Sequence, residues 1–123
     1  MIKCQPIIAV KNVQKSSEWY RNILECKGLH GGDKFEMLAD EKDDIFLCLH
    51  KWGEHEHPTL KDSQNQAGNG LIIYIHVEDL ERIWGKANQL NVQVEEPPHL
   101  NPNSGKQQIC LRDLDNYYLM ITE

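Results

Sequence analysis

The chain has 123 residues, of which 40% are apolar, enough to build the core of one domain covering residues 1–123. Its formal net charge of −6 argues against nucleic acid, because phosphate contacts need a basic face, and against an anionic membrane surface. No segment approaches the roughly 18 apolar residues of a membrane span, so we expect neither a nucleic-acid nor a membrane partner.

The first half of the chain reads as a strand, a helix and two further strands. Residues 6–10 form an aliphatic strand, and residues 13–24 show helical spacing, with Ser16 or Ser17 near the helix start. Strands at 34–39 and 45–50 follow, joined by the acidic turn 40–44. The polar stretch 52–70 is too long for a tight turn and is predicted to link two modules.

The second half repeats this order. Residues 71–77 form a strand, and Asp79 is predicted to be the N-cap of a helix with an apolar side. A short strand at 92–95 and a Pro/Asn loop at 96–105 precede a terminal hairpin of residues 107–112 and 117–122. The second half thus reads β-α-β-β-β, and the first half shows the same order with one strand fewer, so each is roughly one β-α-β-β-β unit.

An internal repeat supports this division. Residues 7–24 read IIAVKNVQKSSEWYRNIL and residues 72–90 read IIYIHVEDLERIWGKANQL, offset by 67 positions when Val10 is compared with Val77. Neither half can bury enough surface alone, so the repeat predicts an α+β domain of two tandem βαβββ modules, at about 1–60 and 70–123.

The cysteines fall in no CxxC pair, and the N-terminus MIKCQPIIAV lacks the apolar stretch of a signal peptide. We therefore expect reduced thiols and a cytoplasmic protein. The four thiols are Cys4, Cys26, Cys48 and Cys110.

Alternation along the strands of the second half separates two faces. One parity of residues 71–77 is wholly aliphatic, whereas the other carries aromatic and polar side chains. Mixed apolar, aromatic and polar side chains of this kind are typical of a small-molecule pocket. The predicted pocket residues are Leu47, Leu49, Ile72, Tyr74, His76, Gln108, Cys110, Arg112, Tyr118 and Met120.

Three of these side chains have alternative interpretations. His76 is either a histidine hydrogen-bonded to a neighbour or a ligand-contacting or acid/base group, and it is the one candidate catalytic residue. Arg112 is placed either to bind a carboxylate or phosphate or to pair with a loop Glu. Cys110 has no base assigned by spacing, which favours a small apolar residue over a nucleophile.

The segment HKWGEHEH gathers His50, His55 and His57 with Glu54 and Glu56. Because this segment lies in a polar linker, we expect the cluster to be solvated. Any metal that it binds is then expected to be adventitious rather than physiological. His30 and His99 are isolated loop residues with no partner that the spacing suggests.

The layout resembles the glyoxalase / bleomycin-resistance / extradiol-dioxygenase superfamily (vicinal oxygen chelate proteins) over nearly the whole chain. VKNVQKSSEWYRNIL is similar to the family signature in the first module, and GKQQICLRDLDNYYLMI is similar to its closing hairpin. Leu114 and Asn116 replace the Pro and Gly of the hairpin turn, but Asn tolerates the left-handed conformation such a turn needs. The resemblance implies a cup-shaped mixed sheet with helices on its outer face.

Metalloenzymes of this family place four ligands on the first and last strands of each module. Carried onto this chain, these places fall at Gln5, near Leu47, at Ile72 and at Met120. Leu, Ile and Met cannot ligate a hard or borderline divalent ion, so we expect no metal at the family site and no cofactor. Gln5 joins the predicted pocket residues.

The resemblance is closest to the metal-free bleomycin-resistance branch, whose members are homodimers that sequester a cationic drug. We therefore expect a small-molecule-binding homodimer whose ligand is aromatic or cationic, acting by sequestration rather than as an enzyme. The alternative is a metal-dependent lyase, isomerase or dioxygenase with non-standard ligands such as Gln5 and His76. A third possibility is an interaction or regulatory module.

Overall fold

The computed structural model describes residues 1–55 and 57–123, which divide into two compact units, Met1–Gln66 and Ala67–Glu123. The division falls within the polar stretch predicted to link the modules. Among the described residues, no helix has the length and apolar character needed to cross a bilayer.

The first unit is a four-stranded mixed sheet with one long helix. Its elements are β1 (Ile7–Val10), α1 (Val13–Leu24), β2 (Lys27–Gly28), β3 (Phe35–Ala39) and β4 (Ile45–Lys51), followed by a short 3-10 helix (Pro58–Leu60). The strand order is β1-β4-β3-β2, with β1 parallel to β4 and the other pairs antiparallel.

The second unit has the same topology. Its elements are β5 (Ile73–His76), α2 (Leu80–Gln89), β6 (Gln93–Leu100), β7 (Gln107–Arg112) and β8 (Tyr118–Thr122). The strand order is β5-β8-β7-β6, and β5 is parallel to β8. The predicted α+β fold of two βαβββ modules is therefore confirmed.

Each of the two α-helices begins where a side chain caps its first turn. Asp79 Oδ1 accepts from the backbone N–H of Arg82 at 3.1 Å, which confirms the predicted N-cap of α2. In α1 the cap is Asn12, whose Oδ1 accepts from Lys15 N at 2.9 Å, rather than Ser16 or Ser17, which are buried inside the helix.

Strand β6 differs most from the prediction. Residues 96–105 were expected to form a loop after a short strand, but β6 continues through Pro97 and Pro98 to Leu100. It lies at the sheet edge, where proline is tolerated, and its register with β7 shifts on both sides of Glu96.

One face of each sheet is aliphatic and buried. In the second unit this face carries a row on β7 and β8 with no solvent exposure, and α2 packs against β7. Burying each such side chain stabilises the fold by about 1.5–3 kcal/mol. The row comprises Ile109, Leu111, Leu119 and Ile121.

Candidate functional site

The opposite face of the second unit's sheet collects most of the predicted pocket residues. Cross-strand pairing places Tyr74 opposite Met120, Met120 opposite Cys110, and Cys110 opposite Glu96. The alternation of strand side chains then puts their polar neighbours on the same face. The predicted residues that share it are Tyr74, His76, Gln108, Cys110, Arg112, Tyr118 and Met120.

Gln108 is the centre of a hydrogen-bonded network on this face. Its side-chain oxygen accepts from Asn101 Nδ2 at 2.9 Å, which orients the amide. Its Nε2 therefore donates, and it lies 3.1 Å from His99 Nε2 and 3.9 Å from Cys110 Sγ. Gln108 is 4% exposed, so the amide at the centre of this network is buried and not solvated.

His99 connects the network to an acidic side chain on the same strand. Its Nε2 lies 2.9 Å from Glu96 Oε2, and its Nδ1 lies 2.7 Å from the carbonyl oxygen of Pro97. Side-chain donor atoms of Glu96, His99 and Cys110 all lie within 4.8 Å of one another.

Cys110 is completely buried, and burial raises the pKa of its thiol. The Tyr118 side chain hydrogen-bonds to the same sulfur, and this bond, together with burial, raises the pKa of Tyr118 to about 12. The phenol therefore stays protonated at neutral pH and can donate to Cys110.

Arg112 pairs with a glutamate, Glu95, on the neighbouring strand. Its Nε donates to Glu95 Oε1 at 2.9 Å and its Nη1 to the carbonyl oxygen of Asn116 at 3.0 Å. The guanidinium also lies 4.9 Å from the centre of the Tyr118 ring. Glu95, the glutamate that pairs with Arg112, belongs to strand β6 and not to a loop.

The β5 edge of this face is exposed and partly apolar. Tyr74 is 46% exposed and Ile72, just before the strand, is 55% exposed. The rings of Tyr74 and exposed His76 have centroids 4.8 Å apart.

The predicted pocket residues of the first unit lie elsewhere. Leu47 and Leu49 are completely buried, on the aliphatic face that they share with Leu38, so they present no surface to a ligand. Gln5 precedes β1, is exposed, and lines an open cleft. The other residues of that cleft are Lys3, Cys4, Asp44 and Ile45.

The segment HKWGEHEH was expected to be solvated, but its first residue is buried. His50 belongs to β4 and is 2% exposed, and its Nε2 lies 3.0 Å from Nδ1 of exposed His55. The His57 ring centroid is 5.1 Å from that of His50. Glu56 lies outside the described residues.

Sequence reasoning missed Glu96 and His99. The one available signal was their i, i+3 spacing, and the Pro97-Pro98 pair between them favoured a loop instead. Only the bulged register of β6 with β7 brings them beside Cys110.

Comparison with known proteins identifies the family. The sequence profile of the glyoxalase/bleomycin resistance protein/dioxygenase superfamily matches residues 4–121. The chain belongs to this superfamily. A search of curated protein sequences gives no match.

Solved structures of the superfamily fold are similar over almost their whole length. TioX from Micromonospora sp. ML1 is 15% identical, with a TM-score of 0.76, covering 97% of this chain and 95% of TioX. A protein of unknown function from Agrobacterium tumefaciens str. C58 is 19% identical, with a TM-score of 0.80 and coverages of 100% and 94%. A lactoylglutathione lyase from Agrobacterium tumefaciens is 15% identical, with a TM-score of 0.72 and coverages of 99% and 92%. At these identities the likeness establishes the fold alone.

The register refines where the superfamily's metal positions fall. Tyr74 lies opposite Met120 in the second unit, and its repeat counterpart Ile7 lies opposite Cys48 in the first. Cys48 is therefore the counterpart of Met120, one residue from Leu47, near which the sequence comparison places this position.

The side chains at these positions do not fit a hard or borderline divalent ion. Ile72 has no donor atom and Met120 offers only a thioether. The cross-strand neighbours of Cys48 are Ile7 and Met37, neither of which carries an imidazole or carboxylate. Gln5 alone carries an oxygen donor. A metalloenzyme site in this superfamily needs imidazole or carboxylate ligands at these places.

Proposed function

We propose that this chain binds a small molecule on the polar face of the second unit's sheet, and that binding itself is its activity. One observation carries the proposal. Exposed Tyr74 stands on the same face as the hydrogen-bonded network of Gln108, and exposed Ile72 lies just before the strand that carries Tyr74. An apolar patch beside fixed polar groups is the usual composition of a ligand site.

The charges favour an aromatic cation as ligand. The face carries two glutamates, Glu95 and Glu96, and its Arg112 is already paired with Glu95. An aromatic cation gains from stacking on Tyr74 and from the net charge of −6. We further propose that the protein acts by sequestration as a homodimer in the cytoplasm, where its four free thiols remain reduced.

The test compares a fluorescent aromatic cation, ethidium, with an anionic aromatic dye, fluorescein, by anisotropy titration. We expect saturable binding of ethidium only, weakened about fivefold or more in Tyr74→Ala through loss of the stacking contact. Leu90→Ala is the matched control, because Leu90 is 49% exposed at the end of α2. Equal binding of both dyes, or no effect of Tyr74→Ala, would contradict the proposal.

The competing hypothesis is a metal-dependent lyase, isomerase or dioxygenase that uses Gln5 and His76. It predicts turnover that disappears with a chelator and in His76→Ala. An interaction or regulatory module predicts instead a stable partner protein and no bound small molecule. Light scattering tests the homodimer, and a monomer at micromolar concentration would remove the drug-sequestering groove between subunits from the proposal.

A further inference from the structure

The Glu96, His99 and Cys110 cluster, on neighbouring strands β6 and β7, has the composition of a zinc site. It supplies one carboxylate oxygen, one imidazole nitrogen and one sulfur, all within 4.8 Å of one another. Zinc bonds of about 2.0–2.3 Å place tetrahedral ligand atoms roughly 3.3–3.7 Å apart, so small side-chain rotations bring the three atoms into range. Glu96 has a side chain 54% exposed and is free to make this adjustment.

The imidazole of His99 is held in the tautomer that a metal requires. The carbonyl oxygen of Pro97 can only accept, so the His99 Nδ1, 2.7 Å away, carries the hydrogen. The lone pair of the neutral ring then lies on Nε2, the atom that faces Glu96 and Gln108. A backbone carbonyl bound to the distal nitrogen is the usual outer contact of a metal-ligating histidine.

Two groups face the Nε2 of His99: the Glu96 carboxylate, which accepts hydrogen bonds, and the Gln108 N–H group, which donates them. Neither protonation state of His99 can form a hydrogen bond with both. The neutral ring accepts from the Gln108 amide but leaves the Glu96 carboxylate, 2.9 Å away, facing a lone pair. The protonated ring donates to Glu96 but then faces the Gln108 N–H group. A cation between His99 and Glu96 satisfies both of them, and the Gln108 amide keeps the Cys110 sulfur at 3.9 Å.

The surroundings of Cys110 support a metal-bound thiolate. The Tyr118 side chain hydrogen-bonds to the sulfur and the Gln108 amide points at it, and both contacts favour a negatively charged sulfur. Two anionic ligands and Zn²⁺ are together neutral, so the site buries no net charge. The neighbouring Glu95 is engaged by Arg112 and does not compete.

We propose that Glu96, His99 and Cys110 bind one zinc ion and leave its fourth coordination position open to water or to a donor atom of a ligand. The site is separate from the superfamily's metal positions, since it uses strands β6 and β7. The proposal does not rest on the proposed ligand binding at Tyr74.

The experiment uses the untagged full chain, freed of metal with a chelator. Zinc affinity is measured by competition with a chromophoric chelator, and Co²⁺ is added as a spectroscopic substitute. We expect one equivalent of each metal to bind, with a near-ultraviolet thiolate-to-cobalt band. Cys110→Ser abolishes that band, and Cys110→Ser and His99→Ala each weaken zinc affinity more than about 100-fold. Because Cys110 is buried, exposed Glu96→Gln serves as the variant least able to disturb folding.

Matched controls distinguish metal binding at this site from metal binding by other side chains. Cys48→Ser removes a buried thiol from the first unit and Glu95→Gln removes the adjacent carboxylate, and both are expected to retain the cobalt band. Tyr74→Ala is likewise expected to bind zinc normally, which distinguishes failure of this proposal from failure of ligand binding. Absence of stoichiometric zinc, or zinc binding that is lost in His55→Ala/His57→Ala but kept in Cys110→Ser, would overturn the proposal.

Discussion

The carboxylate of Glu36 accepts a hydrogen bond from the backbone N–H of His30 at 2.7 Å, although Glu36 is a buried strand residue. The same carboxylate also accepts from the N–H groups of Gly31 and Met37. One side chain therefore fixes the glycine-containing loop between β2 and β3.

These contacts predict an acid-sensitive contribution to stability. Burial acts to raise the pKa of Glu36, but the three backbone N–H groups outweigh it and the pKa is lowered. A lowered folded-state pKa contributes stability that is present above the unfolded-state pKa of about 4.3 and is lost as the pH falls through the folded-state pKa. We expect Glu36→Gln to cost about 1–3 kcal/mol at pH 7, with the difference from wild type shrinking below about pH 4. Urea unfolding of both proteins at pH 7, 5 and 3 measures this difference in unfolding free energy. A difference that stays constant across pH would contradict a lowered pKa of Glu36.

The terminal hairpin depends on a left-handed residue. Asn116 has φ 70°, which confirms the expectation from its sequence position, and its N–H donates to the carbonyl oxygen of Asp113 at 3.0 Å. We expect Asn116→Gly to change the free energy of unfolding by less than about 0.5 kcal/mol. Asn116→Val is expected to cost about 1–2 kcal/mol, because a β-branched side chain is strained at this φ. Leu114→Val, in the same exposed turn, is the control; equal costs for the two valine variants would show that turn strain is not the cause.

The thiols are predicted to react at very different rates. Cys4 is exposed, whereas burial raises the pKa of Cys26 to about 11. The thiolate is the reactive form, so at pH 8 we expect iodoacetamide to modify Cys26 more than about 100-fold more slowly than Cys4. Mass spectrometry of timed samples gives both rates. Cys4→Ser should remove the fast phase, and a fast phase that survives this change would refute the prediction.

The caps of the two helices offer a matched pair of tests. Asp79→Ala and Asn12→Ala each remove a side-chain acceptor from the first turn, at hydrogen-bond distances of 3.1 and 2.9 Å. We expect each change to cost about 1 kcal/mol in unfolding free energy, and Ser to restore most of the loss at either site. Ser16→Ala, inside α1, tests a side chain that does not cap. A larger effect of Ser16→Ala on helix content, measured by circular dichroism, would argue against Asn12 as the cap.

Periodicity and turn chemistry were sufficient to predict the helices, the order of elements along the second half and the closing hairpin. They failed on the register of β4, because Leu47, Cys48, Leu49 and His50 are all buried. A strand buried on both faces shows no alternation, and sequence then cannot distinguish one parity from the other. This is why the corresponding metal position could be predicted only as near Leu47, one residue from Cys48.

The face of the second unit was predictable because its strands alternate clearly, and Tyr74, Cys110 and Met120 were assigned to one side from sequence. His99 was not predictable, since its position depends on two register shifts that no local pattern reveals. Pairing between Arg112 and a glutamate was one of two open alternatives, and Glu95 on the neighbouring strand makes such a pair.

Strand β6 ends its sheet with Pro97 and Pro98 in succession, and neither residue has a backbone N–H to offer to another chain. An extended segment that approached this edge would find a donor missing where one of these prolines faces outward, and a backbone bent by the adjoining bulges. The edge is thereby protected against strand-by-strand growth into aggregates, a risk that every open sheet carries. Replacing these prolines would expose that risk without altering any side chain of the zinc cluster.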